Sequence, residues 1–329
     1  MVWRFILVLI FAHTQQVIGC YKSMFSFGDS LTDTGNLLLA SLPITFRTSP
    51  NPVWRNLLYR PTGRCSDGRL IIDFIAGFLG LPLIHPYLET TDPRQSVNFA
   101  IVGATALDDE FFKREIFIFL IPTYLWEFSW VDCNELFNSS LFLMGGIGGN
   151  DYGYPFFQGR SLEEIRTYVP PVIHAIASAI TVRRLVALCL FLLLTSSYLT
   201  LFKTQNIEDY DPVTGCLNWL NEFAEYHNEQ LKTELNRIRE LYPHTNIIYA
   251  DYYNAAMRIY RSPNKFGPYN YNSSAECGNL PATSCDDPSL YVSWDGLHLT
   301  EAAYKWIANG LLEEPYTFPP LMSLAFLQM

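Results

Sequence analysis

The chain has 329 residues, of which 49% are hydrophobic, and its formal net charge is −10. This apolar content can bury a large core, and the length suits one large domain or two small ones, of which we favour one. The negative charge repels phosphate backbones and anionic membrane surfaces, so it excludes electrostatic binding of nucleic acid and favours a neutral or apolar ligand.

The N-terminal segment has the pattern of a secretory signal peptide. Arg4 supplies the charged start, residues 5–12 form an apolar run, and small residues precede a predicted cleavage near Gly19. A membrane anchor is the weaker alternative, because a span needs about 20 apolar residues. We therefore predict a signal peptide over 1–19, a single domain over 20–329 and an extracellular location.

Short apolar runs alternate with helical periodicity, a pattern that predicts an α/β fold with a parallel sheet covered by helices. The predicted strands are 24–27, 81–84, 97–100, 141–144 and 246–250. The predicted helices are 67–80, 161–180 with an interruption at Pro170-Pro171, 217–241 and 300–312.

The run 185–194 consists of ten apolar residues in succession. It is too short to cross a bilayer and lacks the polar face of a surface helix. The favoured interpretation is a buried central strand, with membrane insertion as the alternative.

Ser30 follows the first predicted strand, where Gly28 permits a tight turn into a helix predicted to begin near Thr32. This arrangement can present the serine hydroxyl at the carboxyl edge of a parallel sheet. Asp295 and His298 precede the last predicted helix, and their spacing lets the carboxylate bind one imidazole nitrogen while the other faces the serine. Each motif alone also fits an ordinary turn, but their order predicts a serine nucleophile with a histidine base.

Four blocks resemble those of the plant GDSL esterase/lipase family, a branch of the SGNH hydrolases. They are 27–36 with Ser30, 98–106 with Gly103, 145–152 with Asn150 and 295–300 with His298. The resemblance implies a three-layer α/β/α fold with a mainly parallel, flavodoxin-like sheet.

The resemblance also implies a secreted serine esterase that hydrolyses carboxylic esters. Its catalytic residues would be Ser30, Asp295 and His298, and its oxyanion hole would contain the N–H groups of Ser30 and Gly103 and the side chain of Asn150. Spacing alone favours reading Asn150 as a turn residue in a glycine-rich loop. The implied ligand is a small-molecule or lipid-like ester, with no stable membrane insertion.

Several segments depart from the family's pattern, namely 42–59, 113–131, 181–197 and the tail beyond about 319. They raise the alternative of a catalytically impaired secreted paralogue or splice product that at most binds ligand, with a sheet incomplete around the fourth strand. An acyltransferase would use the same catalytic residues. No cofactor or metal is implied, because the cysteines and histidines lack paired ligand spacing.

A secretory route would give other residues a role. Asn138 and Asn272 begin glycosylation sequons, and Cys277 and Cys285 close a short loop as the favoured disulfide pair. The chain has seven cysteines, so at least one would stay unpaired or leave with the signal peptide.

Overall fold

The computed structural model describes residues 21–41, 62–90, 92, 96–108, 136, 139–181, 187–190, 207–262, 287–313 and 315–321. The predicted signal peptide, the asparagines of both sequons (Asn138 and Asn272) and the predicted Cys277–Cys285 disulfide lie outside the described residues. Cys65 and Cys216, whose side chains are described, are buried and unpaired.

The described elements alternate strands and helices. The strands are β1 (Ser23–Phe27), β2 (His85–Pro86), β3 (Val97–Asn98), β4 (Ser140–Met144), β5 (Ala187–Leu190), β6 (Ile247–Ala250) and β7 (Thr317–Phe318). The helices are α1 (Asn36–Ser41), α2 (Ile71–Phe78), α3 (Gly149–Phe157), α4 (Leu162–Arg166), α5 (Val169–Thr181), α6 (Asn218–Leu241), α7 (Tyr252–Arg261) and α8 (Glu301–Glu313).

The described strands form one sheet in the order β2-β3-β1-β4-β5-β6-β7, parallel except for β7. If the edge strands β2 and β7 are left out and the other five strands are renumbered along the chain, their order across the sheet is 2-1-3-4-5. This order confirms the flavodoxin-like prediction. The chain reverses its direction of travel at β1, which lies between β3 and β4. Ligands of such sheets bind outside the carboxyl ends of the strands at this reversal.

Most predicted elements are confirmed. The apolar runs around β1, β3, β4 and β6 are strands, and α6 and α8 match the helices predicted over 217–241 and 300–312. The run 185–194 contains β5, which pairs with both β4 and β6, so the predicted fourth strand is present. Within the described residues, no helix has the length and apolar character that a membrane span requires.

Three local predictions are wrong. The helix predicted over 161–180 is interrupted at 167–168, between α4 and α5, and not at Pro170-Pro171, because both prolines lie in the first turn of α5, where a missing N–H breaks no helical hydrogen bond. Residues 81–84 are not a strand; pairing begins at His85, because Pro82 has no N–H to donate and Leu83 is an exposed side chain. The first helix begins at Asn36 instead of near Thr32, because the Asp33 carboxylate accepts the N–H groups that start the helix, including Asn36 N at 2.6 Å.

The core lies on the sheet, whose alternate side chains face two apolar clusters. Met24 of β1 and Leu141 of β4 belong to the large cluster that also includes the helices. Phe25 and Phe142 stack in a smaller cluster with their ring centroids 5.2 Å apart. This packing holds β1 and β4 side by side, and therefore also the loops that follow them.

Arg64→Ala is expected to lower the free energy of unfolding by about 3–5 kcal/mol, because it leaves a buried carboxylate without its counter-charge. Arg64 pairs with Asp73 through Nε and Nη2, both at 2.8 Å, and the two side chains are 7% and 0% exposed. Urea unfolding measures the change. Arg237→Ala, which breaks an exposed pair with Glu234, is the control and should change little. Equal effects in the two variants would contradict the expectation.

Candidate active site

Ser30 lies in a tight turn at the carboxyl end of β1. The Asp29 N–H donates to Gly146 O at 2.8 Å, and the Asp33 N–H donates back to Asp29 O at 2.9 Å. Asp29 Oδ1 accepts from the Leu31 N–H at 3.0 Å, which closes a second ring around Ser30. Ser30 is 8% exposed, and no acceptor for its backbone N–H is present among the described residues.

The turn requires glycine at position 28. Gly28 has a φ of 150°, and a Cβ added there would lie 2.4 Å from Thr32 Oγ1 and 3.2 Å from the Gly145 backbone. The absence of a side chain therefore lets the loops after β1 and β4 approach each other.

Gly103 occupies the third position of a turn over 101–104, closed by the Ala104 N–H donating to Ile101 O at 3.1 Å. Its φ of 83° is one that glycine adopts readily, as the third residue of a type II turn must. The Ile101 N–H donates to Gly28 O at 3.1 Å, which places this turn against the Ser30 loop. The Gly103 N–H, like that of Ser30, has no acceptor in the described part of the chain.

Asn150 is in the first turn of α3, just after the glycine-rich loop that follows β4. Its amide donates one hydrogen bond from Nδ2 to Ala104 O at 2.9 Å. An amide nitrogen carries two hydrogens, so the second remains available to a ligand. Asn150 is half-buried, and its helix brings it to the same turn as Gly103.

Asp295 and His298 lie in a loop before α8 and contact each other directly. His298 Nδ1 and Asp295 Oδ2 are 2.6 Å apart, and Asp295 Oδ1 also accepts from the N–H groups of His298 and Leu297, at 2.6 and 2.9 Å. The Trp294 N–H donates to His298 O at 2.9 Å, closing the loop on itself. His298 is 7% exposed, and its Nε2 is buried without a partner among the described residues.

Charge controls the protonation of this pair. Burial alone would lower the pKa of His298, but the Asp295 carboxylate and its hydrogen bond, together with the charge of Asp29, raise it above its ordinary value. Burial opposes ionisation of Asp295, yet His298 and two backbone N–H groups hold its pKa at about 2. The imidazole therefore keeps Nδ1 towards a charged carboxylate and leaves Nε2 free.

Asp29, which precedes Ser30, interacts electrostatically with His298. Burial raises the pKa of Asp29 to about 7, while the Leu31 N–H and the charge of His298 oppose that rise. Asp29 belongs to the turn that carries Ser30, whereas His298 belongs to the loop before α8, so the charges of these two parts of the site influence each other's protonation.

Residues 62–70 connect these two regions. Arg64 Nη1 donates to Thr34 O at 3.4 Å, on the chain that continues from Ser30. Ser66 Oγ donates to Leu299 O at 3.0 Å, next to His298. One short segment thus holds the N-terminal and C-terminal parts of the site together.

The Ser30 hydroxyl does not hydrogen bond to His298 in this structure, because Nε2 has no partner within the described residues. Contacts between a nucleophile and its base are often longer in the free enzyme and shorten when the substrate binds. Within the same residues, no group of three His, Cys, Asp or Glu side chains is arranged to hold a metal ion.

The structure shows further polar contacts between the serine and glycine blocks that the motif pattern did not indicate. Asn36 Nδ2 donates to Asn98 O and Ala100 O, both at 2.8 Å, and Asp33 Oδ2 accepts from the Val102 N–H at 3.0 Å. All these side chains belong to the blocks that carry the resemblance. Their partners are more than 60 positions away, so spacing alone could not find them.

Comparisons with known proteins identify the family. A family profile described as GDSL-like Lipase/Acylhydrolase matches residues 24–311. A GDSL esterase/lipase of Arabidopsis thaliana is 45% identical over 342 aligned positions, which cover 91% of this chain and 86% of that protein. Sinapine esterase of Brassica napus is 43% identical over 351 positions, covering 94% and 90%.

An acetylxylan esterase structure from Geobacillus stearothermophilus aligns over 89% of this chain and 94% of its own, with 16% identity and a TM-score of 0.40. That similarity is too low to support a conclusion about mechanism or substrate. The profile match over most of the chain and the two plant relatives show the family. The chain belongs to the GDSL-like lipase/acylhydrolase family, a class of hydrolases that act on carboxylic ester bonds.

Proposed function

We propose that the chain is a secreted esterase that hydrolyses small-molecule or lipid-like carboxylic esters through an acyl-enzyme on Ser30. The observation that carries the proposal is the His298 imidazole, which binds Asp295 through Nδ1 at 2.6 Å and leaves a buried Nε2 without a partner in the described residues. Such a nitrogen is ready to accept a proton from a nearby hydroxyl. The apolar start of the chain supports the secretory part of the proposal.

In the proposed reaction, Ser30 Oγ attacks the ester carbonyl carbon while His298 Nε2 takes the hydroxyl proton. The negative charge moves to the carbonyl oxygen, and the alcohol then leaves with the proton from Nε2. Water, activated by the same nitrogen, releases the acid from Ser30. Asp295 keeps the imidazole in the correct tautomer and stabilises its charged form.

Three donors are available for the oxygen that becomes negative. They are the N–H groups of Ser30 and Gly103 and the second amide hydrogen of Asn150, all without an acceptor in the described structure. Donors fixed before the reaction stabilise the developing charge without reorganising during it. This set supports an oxyanion hole at the carboxyl ends of β1, β3 and β4.

Expression of the full chain in a secretory host tests the proposal. The protein recovered from the medium should hydrolyse p-nitrophenyl acetate and should react covalently with a fluorophosphonate, with the label located on Ser30 by mass spectrometry. Only an activated serine reacts in this way. A folded protein that shows neither hydrolysis nor labelling would be a binding protein, and the proposal would be wrong.

Asn150→Ala is expected to lower kcat by about 10²–10³-fold with little change in the melting temperature, because one donor to the oxyanion is lost. Steady-state hydrolysis and thermal unfolding measure the two effects. Asn254→Ala is the matched control, since Asn254 is also half-buried and its amide donates one hydrogen bond, to Asp251 at 2.8 Å. Undiminished turnover in the Asn150 variant would exclude the assigned role.

A further inference from the structure

Side chains of α3 bind the segment 103–107 at four points. Asp151 accepts from two successive N–H groups, Ala106 N to Oδ2 at 2.8 Å and Leu107 N to Oδ1 at 2.9 Å. The Tyr154 hydroxyl donates to Gly103 O at 3.1 Å, and Asn150 Nδ2 donates to Ala104 O at 2.9 Å. One helix thus holds almost every residue of this segment.

The contacts matter because the donors of Asn150 and Gly103 come from different parts of the chain. Asn150 belongs to α3, whereas Gly103 belongs to the turn after β3. Both must reach one oxygen atom, and hydrogen bonds weaken steeply with distance and angle. The relative position of helix and turn therefore determines whether two donors or one can bind the oxyanion.

Asp151 is well suited to hold this position. Its side chain is 0% exposed, so water cannot compete for its oxygens. Burial raises the pKa of Asp151 to about 6, and the hydrogen bonds from Ala106 and Leu107 oppose that rise. Each carboxylate oxygen accepts one backbone N–H, which is the arrangement that stabilises an ionised carboxylate, and hydrogen bonds to a charged acceptor are the stronger ones.

The Tyr154 hydroxyl binds the same turn from a position one helical turn beyond Asn150 on α3. Its bond to Gly103 O orients the peptide that follows Gly103 and so limits rotation at that glycine. A Cβ on Gly103 would lie 2.8 Å from this hydroxyl, which shows how closely the ring approaches.

We propose that Asp151 and Tyr154 are positioning residues that set the distance between the Asn150 amide and the Gly103 N–H. The proposal rests on the proposed function, because it assumes that both groups bind the oxyanion. Neither residue needs to touch the substrate. Their removal should weaken binding of the transition state and leave binding of the ground-state ester nearly unchanged.

Asp151→Asn and Tyr154→Phe test the proposal with p-nitrophenyl acetate. We expect kcat to fall about 10- to 100-fold in Asp151→Asn, the range produced by a displacement of up to about 1 Å, and by a smaller factor in Tyr154→Phe. KM should stay within about two-fold in both variants, as expected where only the transition state is affected. Asp211→Asn is the matched control, because Asp211 also accepts two backbone N–H groups, from Val213 and Thr214, outside the four catalytic blocks.

The affinity for a trifluoromethyl ketone distinguishes the positioning role from a merely structural one, because a merely structural role would leave this affinity unchanged. The ketone forms a hemiketal with an active serine and places an oxyanion in the hole, so its affinity should fall by the same factor as kcat/KM. Asp151→Asn should lower kcat by a smaller factor in the Asn150→Ala variant than in the unmodified protein, because the donor that Asp151 positions is already absent from that variant.

The possible outcomes distinguish a failure of the proposed function from a failure of the positioning role. An unmodified protein without hydrolysis or Ser30 labelling would refute the proposed function. Normal activity in the unmodified protein together with normal kcat in both folded variants would refute the positioning role alone, as would a loss of kcat with unchanged ketone affinity. If Asp151→Asn does not fold, Tyr154→Phe, which removes one oxygen atom, decides the matter by the same two measurements.

Discussion

Ser30→Ala is expected to lower kcat for p-nitrophenyl acetate by about 10⁶-fold, because no other group can form the acyl-enzyme. The fold should be retained, since the Ser30 hydroxyl makes no hydrogen bond within the described residues. Any rate that remains above that of the uncatalysed reaction in water would come from the oxyanion donors and from substrate binding. Steady-state kinetics and fluorophosphonate labelling measure the loss, and thermal unfolding checks the fold.

Ser26→Ala is the matched control for that variant. Ser26 lies on β1, four residues before Ser30, is 0% exposed, and its hydroxyl has no partner among the described residues. It should keep nearly full activity and full labelling. If Ser30→Ala retained more than about a thousandth of the activity and still reacted with the probe, the nucleophile would be a different residue.

Asp295→Asn is expected to lower kcat by about 10⁴-fold, because an amide facing Nδ1 favours the wrong tautomer of the imidazole. The pH dependence should change as well. The base must be neutral, so activity falls as the pH drops through the pKa of His298, which is raised in the intact site. Removing the carboxylate charge removes the main cause of that rise, and the acid limb should move to lower pH.

A profile of kcat/KM against pH measures both effects, since it reports the groups of the free enzyme. Asp287→Asn serves as the control, because Asp287 also accepts a backbone N–H, from Ser289 at 3.1 Å, but makes no contact with an imidazole. An acid limb that stays at the same pH in Asp295→Asn would show that a group other than His298 is the base.

Strands and long helices of this fold can be predicted from sequence because they bury regular apolar patterns. β4 and α6 were predictable in this way. The two-residue strand β7 was not, because so short an edge strand has no periodicity to detect. The start of α1 was misplaced because side-chain hydrogen bonds of Asp33, not hydrophobicity, determine it.

The residues of the candidate site also fall into those that could be predicted from the sequence and those that could not. Asp295 and His298 are three positions apart and could be paired from sequence, and the structure places them in contact. Asp151 was not predicted, because its partners are 44 and 45 positions away and a buried acid has no signature in a single sequence. The connection between the chain after Ser30 and the chain after His298 runs through segment 62–70, whose contacts with Leu299 and Glu301 span more than 230 positions.

The structure also bears on the alternative of a catalytically impaired protein whose sheet is incomplete around the fourth strand. The apolar run 185–194 lies within 181–197, one of the segments that depart from the family's pattern. Its central residues form β5 and pair with both neighbouring strands in parallel register. Within the described residues, the sheet is therefore continuous from β2 to β7.

Three neighbouring strands, β3, β1 and β4, are each followed by a segment that carries one of the proposed oxyanion donors, although the chain between these segments is long. Insertions or deletions in the intervening sequence can therefore accumulate during evolution without moving the donors relative to one another. A lineage built on this sheet can change which esters it accepts while its reaction chemistry stays the same. Substrate range and mechanism are then free to diverge at different rates among descendants of one ancestral gene.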